Sequence, residues 1–138
     1  MLVKDAMSTK VETVAPNTTL QECARMMRRM DIGALPVWEN GKLIGMVTDR
    51  DVCCRSVGDG RDPAAMTVRE AMSSDVTSCF EDEDCIDAAR LMQSKRLRRL
   101  AVLNRQKSMV GLLSVDDIAR YSHDLAGEIL EAASPWPH

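Results

Sequence analysis

Hydrophobic and polar positions follow the same order twice along this chain of 138 residues. Each half opens with a short apolar stretch, at 11–14 and at 76–79, which predicts a strand. Two apolar runs around a polar turn then predict a hairpin, and a second helix closes each half. Between strand and hairpin, apolar residues at helical spacing predict an amphipathic helix; they are Leu20, Ala24 and Met27, and later Ile86, Ala89 and Met92. The pattern predicts β-α-β-β-α twice, in the α/β (α+β) fold class.

Turns and helix starts carry signals of their own. Asn40 and Gly41 stand between two apolar runs, a strong hairpin signal, and a longer polar turn at 105–108 takes the same place later. Thr19 and Asp84 stand where helix N-caps are expected, each with an acidic residue three positions later. The closing helices are predicted to begin at residue 49 or 50 and at residue 115 or 116.

The two halves also repeat in sequence. V-K-D-A-M-S at 3–8 returns as V-R-E-A-M-S at 68–73, and the match continues with one inserted residue at Ser108. A repeat of this size cannot bury its apolar face alone, so we expect two copies to pack around a shared seam. The predicted parts are repeat 1 at 1–57, a linker at 58–67, repeat 2 at 68–120, and a C-terminal helix and frayed tail at 121–138.

Composition narrows the function classes. A net charge of −3 disfavours general nucleic-acid binding, which needs a positively charged surface. An alternative function is weak binding of RNA or DNA by a local basic patch, at residues 25–29 or 95–99. No apolar stretch approaches the roughly 20 residues of a membrane span. The first residues lack the apolar core of a signal peptide, so we expect a cytoplasmic protein without membrane contact.

The five cysteines form neither a paired framework nor a metal-knuckle spacing. Buried reduced thiols are the simpler interpretation, because Cys23 stands where the other half has Ala88. The neighbours Cys53 and Cys54 leave redox sensing open as an alternative. Both histidines lie outside the repeated body. We therefore expect no catalytic residue, no metal site, no cofactor and no enzyme activity.

One motif points to chemistry: G-M-V-T-D-R-D at 45–51 recurs as G-L-L-S-V-D-D at 111–117. In both copies a hydroxyl ends the strand and a carboxylate follows three residues later. Free N–H groups at a helix start attract phosphate, and carboxylate oxygens suit the vicinal hydroxyls of ribose. The pattern indicates a nucleotide site in each half. A capping box explains the same residues without any ligand, and only the recurrence favours the nucleotide.

Together these motifs resemble a pair of cystathionine-β-synthase-type (CBS) domains. The resemblance rests on the two openings ending in A-M-S, the strands D-I-G-A-L-P-V and R-L-R-R-L-A-V, and the motifs at 45–51 and 111–117. It covers residues 1 to about 120 and implies two repeats packed sheet to sheet into one module, with clefts between them. It further implies a homodimer that acts as a regulatory sensor and passes its signal to a target enzyme or transporter. The implied ligand is AMP, ADP or ATP, or else NAD or S-adenosylmethionine.

The resemblance implies a nucleotide-site role for individual residues of each repeat. Asp51 and Asp117 would hold ribose, and Thr48 and Ser114 would lie near ribose or phosphate. The residues that would approach or wall the base are Thr13, Leu35 and Pro36 in repeat 1, and Ser78, Leu100 and Ala101 in repeat 2.

Two cations stand beside these residues, and they differ between the repeats. Arg50 belongs to the first motif, whereas the second has Asp116 at the same place; Arg99 precedes the Leu100 strand. We therefore expect two unequal sites, of which the one with Asp51 prefers ligands with more phosphates.

A scaffold or interaction dimer with clefts that bind nothing is the alternative function. After repeat 2, Ile118, Leu125 and Ile129 continue one amphipathic helix through Ser122. We expect these apolar positions to exceed what one chain buries, which favours a homodimer. The tail around Trp136 is expected to be loose.

Overall fold

The computed structural model describes residues 1–74 and 76–134, which form two compact units. Unit 1 combines Met1–Val11 with the described residues from Thr77 onward, and unit 2 lies within Glu12–Val76. The elements in chain order are α1 Val3–Ala6, α2 Leu20–Met30, β1 Ala34–Glu39, β2 Lys42–Thr48, α3 Asp49–Val52, the π-helical turn Cys53–Val57, α4 Val68–Ala71, β3 Ser78–Phe80, α5 Cys85–Lys95, β4 Arg99–Leu103, β5 Met109–Ser114, α6 Val115–Tyr121 and α7 His123–Ala133. The expected mixed α+β class is confirmed.

The compact units do not follow the order of the repeats. The segment that opens repeat 1 carries α1 and packs in unit 1, with the body of repeat 2. The segment that opens repeat 2 carries α4 and packs in unit 2, with the body of repeat 1. Residues 58–67 also belong to unit 2, where Met66 is buried and its carbonyl accepts the N–H of Leu20 at 2.9 Å.

Unit 2 is built on the hairpin of β1 and β2. Its turn residues Asn40 and Gly41 have φ angles of 53° and 76°, the left-handed pair that a two-residue hairpin turn requires. The expected strand at 11–14 is wrong, because only Val14 forms a single parallel bridge to Val37 of β1. Pro16 explains the difference, since proline has no N–H to donate to the next ladder position.

Unit 1 adds the third strand that unit 2 lacks. β3 pairs in parallel with β4, which pairs in antiparallel with β5. Glu81, the residue that corresponds to Pro16, donates its N–H to the carbonyl of Leu103 at 2.9 Å and so extends the ladder. The strand begins at Ser78, two residues later than the apolar stretch predicts.

Helix starts agree with the sequence, whereas the final helix does not. Thr19 Oγ1 accepts the N–H of Glu22 at 3.1 Å and Asp84 Oδ1 accepts that of Ile86 at 2.8 Å, which confirms both N-caps. The single helix expected through Ser122 is wrong. Ser122 is extended and its Oγ accepts the N–H of Leu125 at 3.3 Å, so it caps α7 and separates it from α6.

The apolar positions expected to exceed one chain's core are buried within unit 1. Ile118 and Ile129 belong to its core cluster, and Leu125 packs against that cluster. The argument for a homodimer from these residues is therefore wrong. The large apolar side chains that stay exposed among the described residues are Met1, Val57, Tyr121 and Leu130. No helix of the described residues has the length and apolar character needed to cross a bilayer. Trp136 lies outside the described residues.

The opening segments have the same local construction in both units. Val3 and Val68 are fully buried anchors. The acidic residue two positions later closes a capping box: Asp5 Oδ2 accepts the N–H of Leu2 at 3.3 Å, and Glu70 Oε2 that of Thr67 at 2.8 Å. The repeated V-x-[D/E] pattern therefore encodes a short capped helix with an apolar anchor.

Each A-M-S segment packs directly on the glycine of a site motif. In unit 2, Met46 and Ser73 exchange two backbone hydrogen bonds of 2.9 Å. A Cβ on Gly45 would lie 2.5 Å from Met72 Sδ and 2.8 Å from the Ser73 carbonyl oxygen. Unit 1 repeats this arrangement, with Gly111 against Met7 and Ser8. Glycine is required because the segment approaches the strand too closely for any side chain.

We predict that Gly45→Ala and Gly111→Ala each lower the free energy of unfolding by about 1–3 kcal/mol, because the added methyl group must displace backbone. Thermal or urea denaturation measures this loss. Gly127→Ala in α7 is the matched control: its Cβ meets nothing within 4 Å, so a better helix former should leave stability equal or higher. Equal stability of all three variants would contradict the close-packing argument.

Candidate nucleotide site

The motif of unit 2 forms a reciprocal capping box at the start of α3. Asp51 Oδ2 accepts the backbone N–H of Thr48 at 2.9 Å, and Thr48 Oγ1 accepts that of Asp51 at 3.1 Å. Asp51 is half-buried, and its Oδ1 has no hydrogen-bond partner within the part of the chain that the structure describes. The cap thus fixes the carboxylate and leaves one oxygen for another donor.

The motif of unit 1 has the same box and one further partner. Asp117 Oδ2 accepts the N–H of Ser114 at 2.9 Å, and Ser114 Oγ accepts that of Asp117 at 3.2 Å. Arg120 Nη1 also donates to Asp117 Oδ1 at 2.7 Å. Sequence reasoning missed Arg120, although a cation three residues after a carboxylate on a helix is a recognisable pair.

The N–H groups at the start of α3 are not free for phosphate, contrary to the sequence expectation. The Asp49 N–H donates to the Gly33 carbonyl at 2.9 Å, and the Arg50 N–H donates to Asp49 Oδ1 at 2.8 Å. The Asp51 N–H is held by Thr48, as described above. Phosphate binding in unit 2 would therefore depend on side chains.

The two predicted cations occupy different places in the two units. Arg99 lies directly opposite Ser114 in the β4–β5 ladder and is exposed. The position opposite Thr48 in unit 2 is Ala34, which carries no charge. Arg50 is exposed on α3. The motif of unit 1 thus has Arg99 and Arg120 beside it, whereas that of unit 2 has Arg50.

The predicted base-contacting residues separate into two faces of β1. Leu35 lies fully buried in the core cluster of unit 2, so a ligand would meet only its main chain. Pro36 is also buried, but successive strand residues point to opposite faces, so it faces away from that core. The Val14 N–H donates to the Pro36 carbonyl at 2.9 Å, which places the exposed Thr13 beside Pro36.

Unit 1 repeats this arrangement with a regular strand. Ser78 is half-buried and lies opposite Ala101 in the parallel β3–β4 register. Leu100 belongs to the core cluster of unit 1, whereas Ala101 is fully buried outside that cluster. The structure thus brings a hydroxyl next to a small apolar residue in each unit, and assigns the neighbouring leucines to the core.

The cysteines fall into a buried and an exposed set. Cys23, Cys79 and Cys85 are buried, as expected, and burial raises the pKa of the Cys23 thiol to about 11 and of the Cys79 thiol to about 12. The buried-thiol interpretation is wrong for Cys53 and Cys54, which are exposed on the π-helical turn. Among the described residues, no three His, Cys, Asp or Glu side chains lie close enough together to hold a metal ion.

Comparison with known proteins identifies the family. A family model for the CBS domain matches residues 3–57 and 68–124, nearly all of both repeats. The chain belongs to the CBS domain family. As a CBS pair, it is a regulatory module.

Individual CBS proteins resemble the whole chain. The CBS domain-containing protein YhcV of Bacillus subtilis is 41% identical over 130 residues, which cover 93% of this chain and 91% of that protein. The CBS domain protein TA0289 of Thermoplasma acidophilum has a TM-score of 0.86 at 26% identity, covering 96% of this chain and 75% of that chain. The CBS domain pair of protein MJ0100, solved with 5′-methylthioadenosine and S-adenosyl-L-methionine, has a TM-score of 0.79 at 26% identity, covering 90% and 97%.

We predict that a thiol-specific reagent modifies two of the five cysteines of the folded protein at neutral pH. Cys53 and Cys54 are accessible, whereas burial and a raised pKa keep Cys23 and Cys79 protonated and shielded. Absorbance titration before and after adding denaturant counts the two sets, and peptide mapping identifies them. Cys53→Ser with Cys54→Ser should abolish the fast reaction; fast modification of a buried thiol in that variant would contradict the assignment.

Proposed function

We propose that this CBS pair senses adenosine-containing nucleotides, AMP, ADP or ATP, and passes their signal to a target enzyme or transporter. Asp51 and Asp117 hold ribose, one in each unit. The observation that carries this proposal is the open Oδ1 of Asp51, since its carboxylate is fixed by the cap and still has acceptor capacity.

The surroundings of the carboxylates support an adenosine ligand. Each unit places a hydroxyl at the same position of its sheet, Thr13 beside Pro36 and Ser78 beside Ala101. Pro36 and Ala101 are buried, so the hydroxyl is the group that would contact a base. Protein MJ0100, whose fold is similar, was solved with two ligands that both contain adenosine. NAD and S-adenosylmethionine remain in the proposed ligand class for that reason.

We predict that Asp51→Asn and Asp117→Asn each weaken nucleotide binding by about 1.5–3 kcal/mol, because a neutral amide replaces a charged hydrogen-bond acceptor. Asparagine keeps a side-chain oxygen for the cap. Isothermal titration calorimetry with AMP, ADP and ATP measures the affinities, after a thermal-shift screen that includes NAD and S-adenosylmethionine.

Glu70→Gln is the matched control for these variants. It changes the carboxylate of the α4 capping box in the same way but lies outside the site motifs, so nucleotide affinity should stay unchanged. The proposal fails if no adenosine compound binds the unmodified chain, which would favour the scaffold alternative. It also fails if the folded double variant binds as tightly as the unmodified chain.

We also propose that the chain forms a homodimer, as the family resemblance implies. Tyr121 and Leu130 are exposed apolar side chains at the ends of α6 and α7 in unit 1, and they offer a surface for a second copy. Light scattering at micromolar concentration should give twice the chain mass of 15.3 kDa. Leu130→Asp should lower the apparent mass, whereas a charge reversal at its exposed neighbour, Glu131→Lys, should not. A single-chain mass for the unmodified protein would contradict the dimer.

A further inference from the structure

Among the described residues, the ion pair between Arg120 and Asp117 has the shortest distance between its charged atoms. Its two partners differ in environment: 75% of the Arg120 side chain is exposed, but only 10% of the Asp117 side chain. Nη1 and Oδ1 are 2.7 Å apart, so the guanidinium covers the carboxylate oxygen that the capping box leaves open. A ribose hydroxyl that approaches this oxygen meets Arg120 first.

The other repeat lacks this cover. One inserted residue, Ser108, aligns Arg120 with Cys54, whose side chain carries no positive charge at neutral pH. Asp51 is less buried than Asp117, and its Oδ1 has no partner among the described residues. The two carboxylates are thus held by the same backbone contacts and differ in the side chain placed three residues later.

We propose that Arg120 makes the site of unit 1 selective for phosphorylated adenosines over uncharged nucleosides. This inference rests on the proposed function and specifies its ligand class. A phosphate gives the guanidinium a second anionic partner, so Arg120 leaves Asp117 Oδ1 and ribose takes its place. A nucleoside supplies no anion, so its neutral hydroxyl must displace a hydrogen bond in which both the donor and the acceptor are charged.

Neighbouring charges favour this exchange. Arg99, opposite Ser114, places a second cation at the same end of the strand, which adds to the attraction for phosphate. Asp116, next to the motif carboxylate, is exposed and opposes this attraction, so the two arginines together outnumber it by one charge. This proposal makes the unit with Asp117 the more phosphate-dependent of the two, whereas the sequence-based expectation, which stays a prediction, gives the site with Asp51 the preference for more phosphates.

Separate titrations of the two sites test the proposal. Asp51→Asn weakens the site of unit 2, so that calorimetry with AMP and with adenosine reports mainly on unit 1. Arg120→Cys is then added, which installs the residue of the other repeat. We expect the preference for AMP over adenosine to fall about tenfold or more, with adenosine affinity equal or higher. Arg120→Lys should retain part of the preference, because it keeps the charge.

Two further variants make the test specific. In the Asp117→Asn background, Cys54→Arg should raise the preference for AMP at the remaining site. Arg105→Cys removes another arginine of unit 1 that pairs with an aspartate, Asp82, at 2.9 Å, and it should leave the preference unchanged. Melting temperatures establish that each variant is folded.

The outcomes separate this inference from the proposed function. If AMP and adenosine both bind and Arg120→Cys leaves their affinity ratio unchanged, the role of Arg120 is overturned while nucleotide sensing stands. If Arg105→Cys lowers the ratio as much as Arg120→Cys, the change in affinity comes from the loss of positive charge anywhere on unit 1, and the inference fails. If the unmodified chain binds neither compound, both proposals are overturned.

Discussion

The close approach of an A-M-S segment to the glycine of a site motif is the interaction on which both units depend. The segment that opens repeat 1 completes unit 1, and the one that opens repeat 2 completes unit 2, so neither unit is built from the residues of one repeat alone. Gly45 and Gly111 are therefore structural residues, although they lie in the motif that suggests a ligand. Each glycine lies in the strand that ends at the motif hydroxyl, and the helix with the motif carboxylate follows directly. The packing that stabilises a unit therefore also positions its candidate site.

Capping and ligand binding are compatible roles for the motif aspartates. A carboxylate has two oxygens, and the box uses Oδ2 of Asp51 and of Asp117 for a backbone N–H. That bond fixes the side-chain torsion before any ligand arrives, which removes the conformational cost of ordering the carboxylate on binding. The sequence left capping and nucleotide binding as competing interpretations; the geometry makes the cap the means by which the second oxygen is held in place.

Sequence signals that span a few residues predicted turns and helix starts well. They did not predict which segments pair with each other in the folded chain. The Asn40-Gly41 turn and the Thr19 cap are encoded within a few residues, so the pattern alone identified them. The apolar stretch at 11–14 predicted a strand, but the prediction did not take into account that Pro16 has no N–H to donate to the ladder. The helix break at Ser122 lies within a stretch whose apolar residues recur at helical spacing. That spacing predicted one continuous helix, although serine is also a favoured N-cap residue. Each opening segment packs against a strand of the other repeat. The letters V-K-D-A-M-S alone did not indicate which of the two strands that would be.

One difference between the repeats, Arg120 against Cys54, changes the chemistry beside the motif carboxylate without changing the contacts that hold it. Both units keep the glycine contact and the capping box. Arg120 and its counterpart Cys54 are exposed side chains that either unit tolerates, so substitution there has a small structural cost. Under the proposal, the consequence for binding is larger, since the guanidinium at 2.7 Å occupies the carboxylate oxygen that ribose would use. If the proposal holds, exposed positions alone give the two repeats different ligand preferences, without a change in the core of either unit.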